Sequence, residues 1–231
     1  MKLVEILNKF NLDSDFLNEG YTEGGTDKNS YHSYIENFYE KEFEPYKESK
    51  IDLLEIGIET GGSLKLWKEY FLNSKSVVGV DISDEKIDQR YKNIDGIIMH
   101  FGDAYDEKFS KKFKQFDIII DDGSHVPEHQ INTFNFLFDK MLKNGGTYII
   151  EDIECNYWNP KNTIYGYEVG NHNVVDYFST VPHKINSEFS GMRNNNLISS
   201  ITYFKNCIIL TKMDVEEIKE KDREYRFKEM L

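Results

Sequence analysis

From Lys50 onward the chain alternates short apolar runs with longer stretches that mix apolar and charged residues. The apolar runs are IDLLEIG, SVVGVDI, GIIMHFGD, FDIIIDD and GGTYIIED. Between them lie three helix-like stretches, SLKLWKEYFL, DEKIDQRY and VPEHQINTFNFLFDKML. Continuous apolar runs are typical of buried parallel strands, and their alternation with helices indicates βαβ units. The pattern therefore predicts an α/β fold with an open, doubly wound sheet that binds ligands beyond the carboxyl ends of its strands.

The N-terminal part of the chain lacks this alternation. Residues 1–19 and 31–48 mix apolar and charged positions and predict two short helices around a glycine-containing loop. We therefore expect one domain overall, with a helical segment or lid over residues 1–48 and the main α/β domain over 49–231.

The region after the fifth apolar run is also less regular. Residues 155–185 are long, aromatic and weakly patterned, which favours a functional loop over a disordered one. Residues 199–212 predict two strands joined by a turn at Lys205–Asn206. Residues 214–231 predict a charged helix.

The composition excludes several classes of protein. Hydrophobic residues make up 39% and aromatic residues 14% of the 231 positions, as in globular proteins. The net charge of −13 disfavours nucleic acid as a partner. Two cysteines are too few for a disulfide framework and fit a reducing, cytoplasmic compartment. We find no signal-peptide pattern and no apolar stretch of about 18 residues, so we expect no membrane span.

Nearly every apolar run ends in an acidic residue. Because the carboxyl ends of parallel strands meet at one edge of a sheet, these carboxylates should lie close to a common site. The alternative is that they belong to solvated loops. The residues are Glu55, Asp81, Asp103, Asp121–Asp122 and Glu151–Asp152.

The first three of these strand ends have the pattern of a nucleoside site. The stretch DLLEIGIETGGS places a glycine turn between a strand and a helix, where Gly57 and Gly61 would let the backbone approach a ligand. Taken alone, this is also the pattern of an ordinary βα turn. Asp81, however, could accept hydrogen bonds from both ribose hydroxyls, and Asp103 could meet an exocyclic amine. Three acids at three successive strand ends therefore predict a bound nucleoside.

These motifs resemble those of the class I S-adenosylmethionine-dependent methyltransferases. LEIGIETGG looks like their cofactor loop, VGVDIS carries the ribose acid and GDAYD the adenine acid. The resemblance implies a Rossmann-like, seven-stranded, mostly parallel sheet with an antiparallel last strand and helices on both faces. Glu59 replaces the middle glycine of the usual loop, which disfavours a dinucleotide but not S-adenosylmethionine, a cofactor without phosphate. The implied cofactor-binding residues are Thr26, Lys28, Glu55, Gly57, Gly61, Ser63, Asp81, Asp103, Ala104 and Asp121.

A narrower resemblance is to the metal-dependent sugar O-methyltransferases of the macrocin and mycinamicin type. It is carried by GTDKNSYHSYIENFYEKEFEP, IDDGSH and IIEDIECNYW. It implies Mg²⁺, or alternatively Mn²⁺, bound by Asp122, Glu151 and Asp152, with His125 as the base. It also implies a sugar acceptor, either a nucleotide sugar, a surface polysaccharide or an antibiotic glycoside, and a homodimer or homotetramer.

The residues themselves support this metal chemistry. Neighbouring strands would bring Asp122, Glu151 and Asp152 together, and three close carboxylates repel one another unless a cation lies between them. Oxygen ligands suit Mg²⁺ and disfavour Zn²⁺. His125, with a reference pKa of about 6.5, could accept a proton at neutral pH. The alternative is that Glu151 and Asp152 only cap a loop.

A zinc site is the rival metal hypothesis. The stretch HVPEH, residues 125–129, fits the H-x-x-E-H pattern of some zinc peptidases. Pro127 allows only the start of a helix there, and the neighbouring acids already provide for a metal. His129 is then expected on a helix surface or a pocket wall.

Several roles and functions stay open. Asp121 either faces the amino group of the cofactor or is structural. Tyr157 and Trp158 either contact the acceptor or belong to the core, and His32 is a candidate acceptor contact because it lies in the matched N-terminal segment. The other functions considered are a methyltransferase for a catechol or another vicinal diol, an antibiotic-methoxylating enzyme, and a non-catalytic S-adenosylmethionine-binding subunit.

Overall fold

A computed structural model describes residues 1–14, 23–104, 106, 111–186 and 197–214 of the protein. The strands within this part of the chain are β1 (Asp52–Ile56), β2 (Ser76–Asp81), β3 (Ile97–Phe101), β4 (Phe116–Asp121), β5 (Leu142–Glu151), β6 (Thr163–Ile164), β7 (Tyr167–Glu168), β8 (Ile198–Phe204) and β9 (Cys207–Lys212). The α-helices are α1 (Leu3–Phe10), α2 (Glu40–Phe43), α3 (Gly62–Tyr70), α4 (Pro127–Lys140), α5 (Val174–Phe178) and α6 (Val181–Ile185). A π-helix (Ile35–Tyr39) and a 3₁₀ turn (Glu44–Tyr46) flank α2, and a second 3₁₀ turn (Ile153–Tyr157) follows β5.

Seven strands form one sheet in the order β3-β2-β1-β4-β5-β9-β8. Strands β1 to β5 run parallel to one another, whereas β9 runs antiparallel to both β5 and β8. The predicted mostly parallel sheet with an antiparallel last strand is confirmed. The turn predicted at Lys205–Asn206 is also confirmed, because β8 ends at Phe204 and β9 begins at Cys207.

Both faces of the sheet are covered, which is why its central strands are apolar throughout. Leu53 of β1 belongs to a core cluster that also contains Leu3 of α1 and Trp67 of α3. The next residue, Leu54, belongs to a second cluster with Phe134 of α4. Successive side chains of a strand point to opposite faces, so the two clusters lie on opposite sides of the sheet. Helices on both faces are therefore confirmed.

The helix predicted over DEKIDQRY is wrong, because residues 84–91 form turns. Polar side chains take up the backbone amides that a helix would need. The hydroxyl of Ser83 accepts from the Glu85 amide at 3.2 Å, and the Asp88 carboxylate accepts from the Arg90 amide at 2.8 Å. Such local bonds offer the backbone an alternative to a helix.

The long region 155–185 contains several short elements instead of an irregular loop. It holds the end of the second 3₁₀ turn, the two-stranded hairpin β6–β7, and helices α5 and α6. The charged helix predicted over residues 214–231 lies outside the described part of the chain, apart from Asp214. No described helix is long and apolar enough to span a membrane.

The N-terminal segment packs on the glycine turn after β1. The Thr60 hydroxyl donates to the Gly25 carbonyl at 3.0 Å, and the Tyr91 hydroxyl donates to the Gly24 carbonyl at 2.7 Å. A Cβ atom at Gly62 would lie 2.5 Å from both of these carbonyl oxygens. The close approach therefore requires glycine at the start of α3, and it places the N-terminal segment beside the carboxyl ends of the strands.

Candidate active site

A cavity of about 980 Å³ opens beyond the carboxyl ends of the parallel strands. It lies where β1 is flanked by β2 on one side and β4 on the other, the point at which the strand order reverses and where such sheets bind ligands. We call its two parts the glycine end and the acid end. The glycine end is formed by Gly57, Ile58, Glu59, Ser63, Asp81 and Asp103, and the acid end by Asp122, His125 and Asp152.

Backbone geometry shapes the glycine end. Gly57 has a φ of 77°, and a Cβ atom there would lie 1.9 Å from the carbonyl oxygen of Asp122, so only glycine fits. Gly61, with a φ of 89°, precedes α3 and turns the chain into the helix. The departure at Glu59 is accommodated in the left-handed region with a φ of 42°. Its side chain forms an exposed ion pair with Lys86 at 2.9 Å, and both residues border the cavity.

Asp81 lines the cavity and also fixes the turn after β1. Its Oδ2 atom accepts from the backbone amides of Ile58 and Glu59, both at 3.0 Å. The predicted neighbours Asp103 and Ala104 line the same end of the cavity. The structure thus brings Asp81 and Asp103, the predicted contacts of ribose and adenine, together with the glycine turn.

Glu55 and Ser63 lie next to each other beneath this turn. The fully buried Glu55 carboxylate accepts from the Ser63 hydroxyl at 2.7 Å and from the Trp67 indole at 3.1 Å. Ser63 borders the cavity, whereas Glu55 does not. Glu55 therefore supports the turn from below instead of facing a ligand directly.

The acid end joins the ends of β4 and β5. Single ligand atoms of Asp122, His125 and Asp152 lie within 4.8 Å of one another. The Tyr34 hydroxyl and the Asn206 amide both donate to Oδ1 of Asp152. Two of the three residues, His125 and Asp152, have left-handed backbones, with φ of 58° and 54°. Non-glycine residues in this region are often found at functional sites, where the surrounding structure holds them in place.

Lys28, predicted as a cofactor contact, instead provides a cation inside the acid cluster. Its Nζ atom lies 2.7 Å from Oδ2 of Asp122, 2.7 Å from Oε2 of Glu151 and 3.3 Å from Oε1 of Glu55. The side chain is 1% exposed and does not border the cavity. Burial alone would lower the pKa of Lys28, but the three carboxylates outweigh it and raise that pKa well above its usual value.

Glu151, predicted as a metal ligand, is turned away from the cavity. Its carboxylate contacts Lys28 on one oxygen and accepts from the Tyr39 hydroxyl on the other. Burial raises the pKa of Glu151 to about 7 despite Lys28, and burial likewise raises the pKa of Asp122 well above its usual range. Asp122 and Asp152 also bring carboxylate oxygens close together at the cavity, and this geometry fits a cation between them.

His125 is well placed to accept a proton. It is 8% exposed, borders the cavity, and its Nε2 atom lies 3.9 Å from Oδ2 of Asp152. Burial lowers its pKa below the usual value, more than Asp152 raises it, so the imidazole is neutral at neutral pH. Its Nδ1 atom is buried without a hydrogen-bond partner in the described part of the chain.

His129 and His32 differ from His125 in their contacts. His129 pairs through Nδ1 with the Ser124 hydroxyl at 2.8 Å, and the candidate metal groups among the described residues include His125 but not His129. The paired-histidine zinc hypothesis therefore gains no support. His32 borders the cavity and lies 3.6 Å from Asp152 and 3.5 Å from Asp27. Burial lowers the pKa of His32, but these two carboxylates outweigh it and raise that pKa.

Asp121 and Thr26 complete the lining between the two ends. Asp121 is 3% exposed, borders the cavity and accepts from the Tyr148 hydroxyl at 3.3 Å. Burial raises its pKa to about 7. Thr26, which lies in the N-terminal segment, also borders the cavity, and its backbone pairs with that of Asp13.

The structure does not bring Tyr157 and Trp158 into the cavity. Tyr157 is 71% exposed and Trp158 is 40% exposed, and neither borders it. The second 3₁₀ turn buries Ile153 and Cys155 and so directs Tyr157 outward. Two other aromatic residues, Tyr165 and Tyr167 of the β6–β7 hairpin, line the cavity instead. Their position in the cavity could not be predicted from the hydrophobic pattern, because both residues lie in the weakly patterned region 155–185.

No protein-family model matches the chain. Among curated proteins, it is 35% identical over 142 residues to the 8-demethyl-8-alpha-L-rhamnosyl tetracenomycin-C 2'-O-methyltransferase of Streptomyces olivaceus, covering 58% of this chain and 36% of that protein. It is 34% identical over 131 residues to the demethylmacrocin O-methyltransferase of Streptomyces fradiae, covering 52% and 32%. The chain thus spans about a third of the length of the curated relatives it matches. The resemblance to sugar O-methyltransferases is confirmed by these relatives.

Solved structures show the same fold. The MycE methyltransferase from the mycinamycin biosynthetic pathway, in complex with Mg and SAH, superposes with a TM-score of 0.70 at 23% identity. The superposition covers 93% of this chain and 55% of MycE. A second MycE complex, with Mg, SAH and mycinamycin VI, gives a TM-score of 0.71. The seven-stranded architecture is therefore that of a methyltransferase fold.

Proposed function

We propose that this protein is a Mg²⁺-dependent O-methyltransferase that moves a methyl group from S-adenosylmethionine to a hydroxyl of a sugar. The observation that carries this proposal is one cavity with two chemically different ends, a glycine turn beside Asp81 and Asp103, and an acid cluster that contains His125. Relatives named as methyltransferases of rhamnosyl tetracenomycin and demethylmacrocin support the sugar as acceptor.

The glycine end would bind the cofactor. Asp81 would accept hydrogen bonds from the ribose through Oδ1. Its Oδ2 atom already accepts from two backbone amides, whereas Oδ1 accepts from the Ser83 amide at the longer distance of 3.3 Å. Asp103 would contact the adenine, and Asp121, which borders the cavity, would meet the amino group of the methionine part. The hydrogen bond between Ser63 and Glu55 would stabilise the glycine turn. Lys28 would stabilise the acid cluster through its contacts with Asp122 and Glu151.

The acid end would hold the metal and the acceptor. Asp122 and Asp152 offer carboxylate oxygens toward the cavity, the ligands that Mg²⁺ prefers, with Mn²⁺ as an alternative. Glu151, also predicted as a ligand, contributes negative charge while Lys28 and Tyr39 occupy its oxygens. When bound, the ion would polarise the hydroxyl groups of the acceptor as a Lewis acid.

His125 would be the general base. A sugar hydroxyl must lose its proton as it attacks the methyl group, and the neutral imidazole beside Asp152 can take that proton. His32 lies on the other side of Asp152, and the carboxylates around it favour its protonated form. The two histidines would therefore have different roles, with His32 as a cationic contact for the acceptor.

The proposal is tested by a mass-spectrometric screen for the gain of one methyl group. Glycosides, nucleotide sugars and oligosaccharides are incubated with the protein and S-adenosylmethionine, with Mg²⁺, with EDTA, and with Zn²⁺ added after chelation. We expect transfer with Mg²⁺, none with EDTA, and poor recovery with Zn²⁺ because the ligands are hard oxygens. Full activity after rigorous chelation would remove the metal from the proposal. Methyl transfer to catechols but to no sugar would show that the acceptor is a vicinal diol of another class.

The other expectations remain predictions. A homodimer or homotetramer, the cytoplasmic location and the separate lid over residues 1–48 follow from the sequence analysis alone.

A further inference from the structure

The β6–β7 hairpin carries an unusual turn residue. Its two strands, Thr163–Ile164 and Tyr167–Glu168, are joined by a two-residue turn in which Tyr165 has a φ of 50° and Gly166 a φ of 85°. Turns with two positive φ values strongly favour asparagine, aspartate or glycine at the first position. The left-handed conformation is unfavourable for a tyrosine, because its Cβ atom crowds the following carbonyl.

The fold gains little from this tyrosine. Its side chain is 68% exposed, and the hairpin has only two backbone pairs. The turn instead positions the Tyr165 side chain at the cavity, where its ring centroid lies 5.8 Å from that of His125. Tyr167 borders the same wall and packs edge-on against His129 at 4.9 Å. A backbone held in an unfavourable conformation next to the proposed base points to a functional use.

The charge around the cavity limits what can lie against this ring. Among the described residues that line the cavity, nine carry a carboxylate and one, Lys86, is a lysine, which is paired with Glu59. Lys28 is paired with Asp122, and a divalent ion would add two positive charges, but acidic residues still outnumber basic ones around the cavity, which disfavours a diphosphate. A neutral sugar ring is compatible with the charge, and its C–H face packs well on an aromatic ring.

We propose that Tyr165 is an acceptor-contacting residue, whose ring holds the C–H face of a neutral pyranoside so that one of its hydroxyls faces His125. This rests on the proposed function and goes beyond it in assigning the contact to a residue of the hairpin turn. It also places nucleoside-diphosphate sugars among the poor acceptors.

The test uses the fact that the turn conformation favours asparagine at residue 165, whereas the proposed contact with the sugar requires an aromatic ring there. Tyr165→Asn suits the turn, so its urea unfolding midpoint should equal or exceed that of the wild type. The same variant should raise the KM for 4-nitrophenyl α-L-rhamnopyranoside by about 2–10-fold, the range for loss of one aromatic contact. Tyr165→Phe should keep the wild-type KM, and calorimetry should find unchanged affinity for S-adenosylhomocysteine in both. Tyr157→Asn, outside the cavity, is the matched control and should keep the wild-type KM.

The outcomes separate this contact from the function it rests on. A Tyr165→Asn variant with a lower midpoint and an unchanged KM would show that the tyrosine is structural and would overturn the proposal. A lower KM for a thymidine-diphosphate rhamnose than for the neutral glycoside would overturn the argument from charge. If the wild type methylates no pyranoside while binding S-adenosylhomocysteine, the proposed sugar acceptor fails, and the contact fails with it.

Discussion

At the glycine end of the cavity, Asp81 accepts hydrogen bonds from two amides of a turn that lies about 22 residues earlier in the chain. At the acid end, Lys28 reaches Asp122 and Glu151 across separations of 94 and 123 residues. The glycine end depends mainly on backbone conformation, and its exact shape follows from glycines at positive φ. The acid end depends on buried charges that the fold must bring together. The two ends should therefore respond differently to substitution.

The largest effect is expected at the acid end, from the residue closest to the chemistry. His125→Ala should lower kcat by about 10²–10⁴-fold, the usual contribution of a general base. Affinity for S-adenosylhomocysteine should stay close to the wild-type value, because His125 does not belong to the glycine end. Steady-state kinetics and calorimetry on the same preparation measure both. His129→Ala, which removes the neighbour that pairs with Ser124, should lower kcat far less. The reverse order of the two histidines would reopen the zinc hypothesis.

Removing the internal cation should be the largest change in stability. Lys28→Met leaves the carboxylates of Asp122 and Glu151 buried without their ammonium partner and should cost about 3–5 kcal/mol in the free energy of unfolding. Lys143→Met is the matched control, since Lys143 also contacts two carboxylates, at 2.7 and 3.1 Å, but is 30% exposed. Surface pairs of that kind are worth about 1 kcal/mol or less. Equal losses in urea unfolding would show that Lys28 does not hold the acid end.

The smallest effect is expected at the glycine end, where the chain departs from the usual loop. Glu59→Gly restores the middle glycine, relieves a positive φ and removes an exposed ion pair with Lys86. Because these contributions are small and opposed by the added freedom of glycine, the free energy of unfolding should change by less than about 1 kcal/mol. Affinity for S-adenosylhomocysteine should also stay near the wild-type value. A large gain in affinity would mean that Glu59 obstructs the cofactor.

The same contrast explains how much of the protein could be predicted from its sequence. The parallel strands and the glycine turn each consist of residues that are contiguous in the sequence. The apolar runs therefore predict the strands, and the glycines together with the acid at the end of β2 predict the turn. Residues 84–91 were wrongly predicted as a helix, because Ser83 and Asp88 take up backbone amides that hydrophobic spacing does not consider.

The acid end could be predicted only in part. IDDGSH and IIEDI marked Asp122, His125 and Asp152, but nothing near Lys28 in the sequence indicates that its side chain ends between three carboxylates. Carboxylates this close together require a cation between them, and the chain supplies one itself in Lys28. The Tyr165–Gly166 turn had only a weak local signal, one glycine between aromatic residues, because its first position lacks the asparagine, aspartate or glycine that marks such turns.

The central claim is that the two ends of one cavity bind two different ligands, and calorimetric titration of both ligands into two variants tests it most directly. Asp81→Ala should weaken S-adenosylhomocysteine by about 1.5–3 kcal/mol, the value of charge-assisted hydrogen bonds, and leave Mg²⁺ affinity unchanged. Asp122→Asn should weaken Mg²⁺ by at least about 10–100-fold, since even residues that only support metal ligands cost that much, and leave S-adenosylhomocysteine unchanged. An Asp122→Asn variant that binds Mg²⁺ like the wild type, or two variants that lose both ligands alike, would contradict the account.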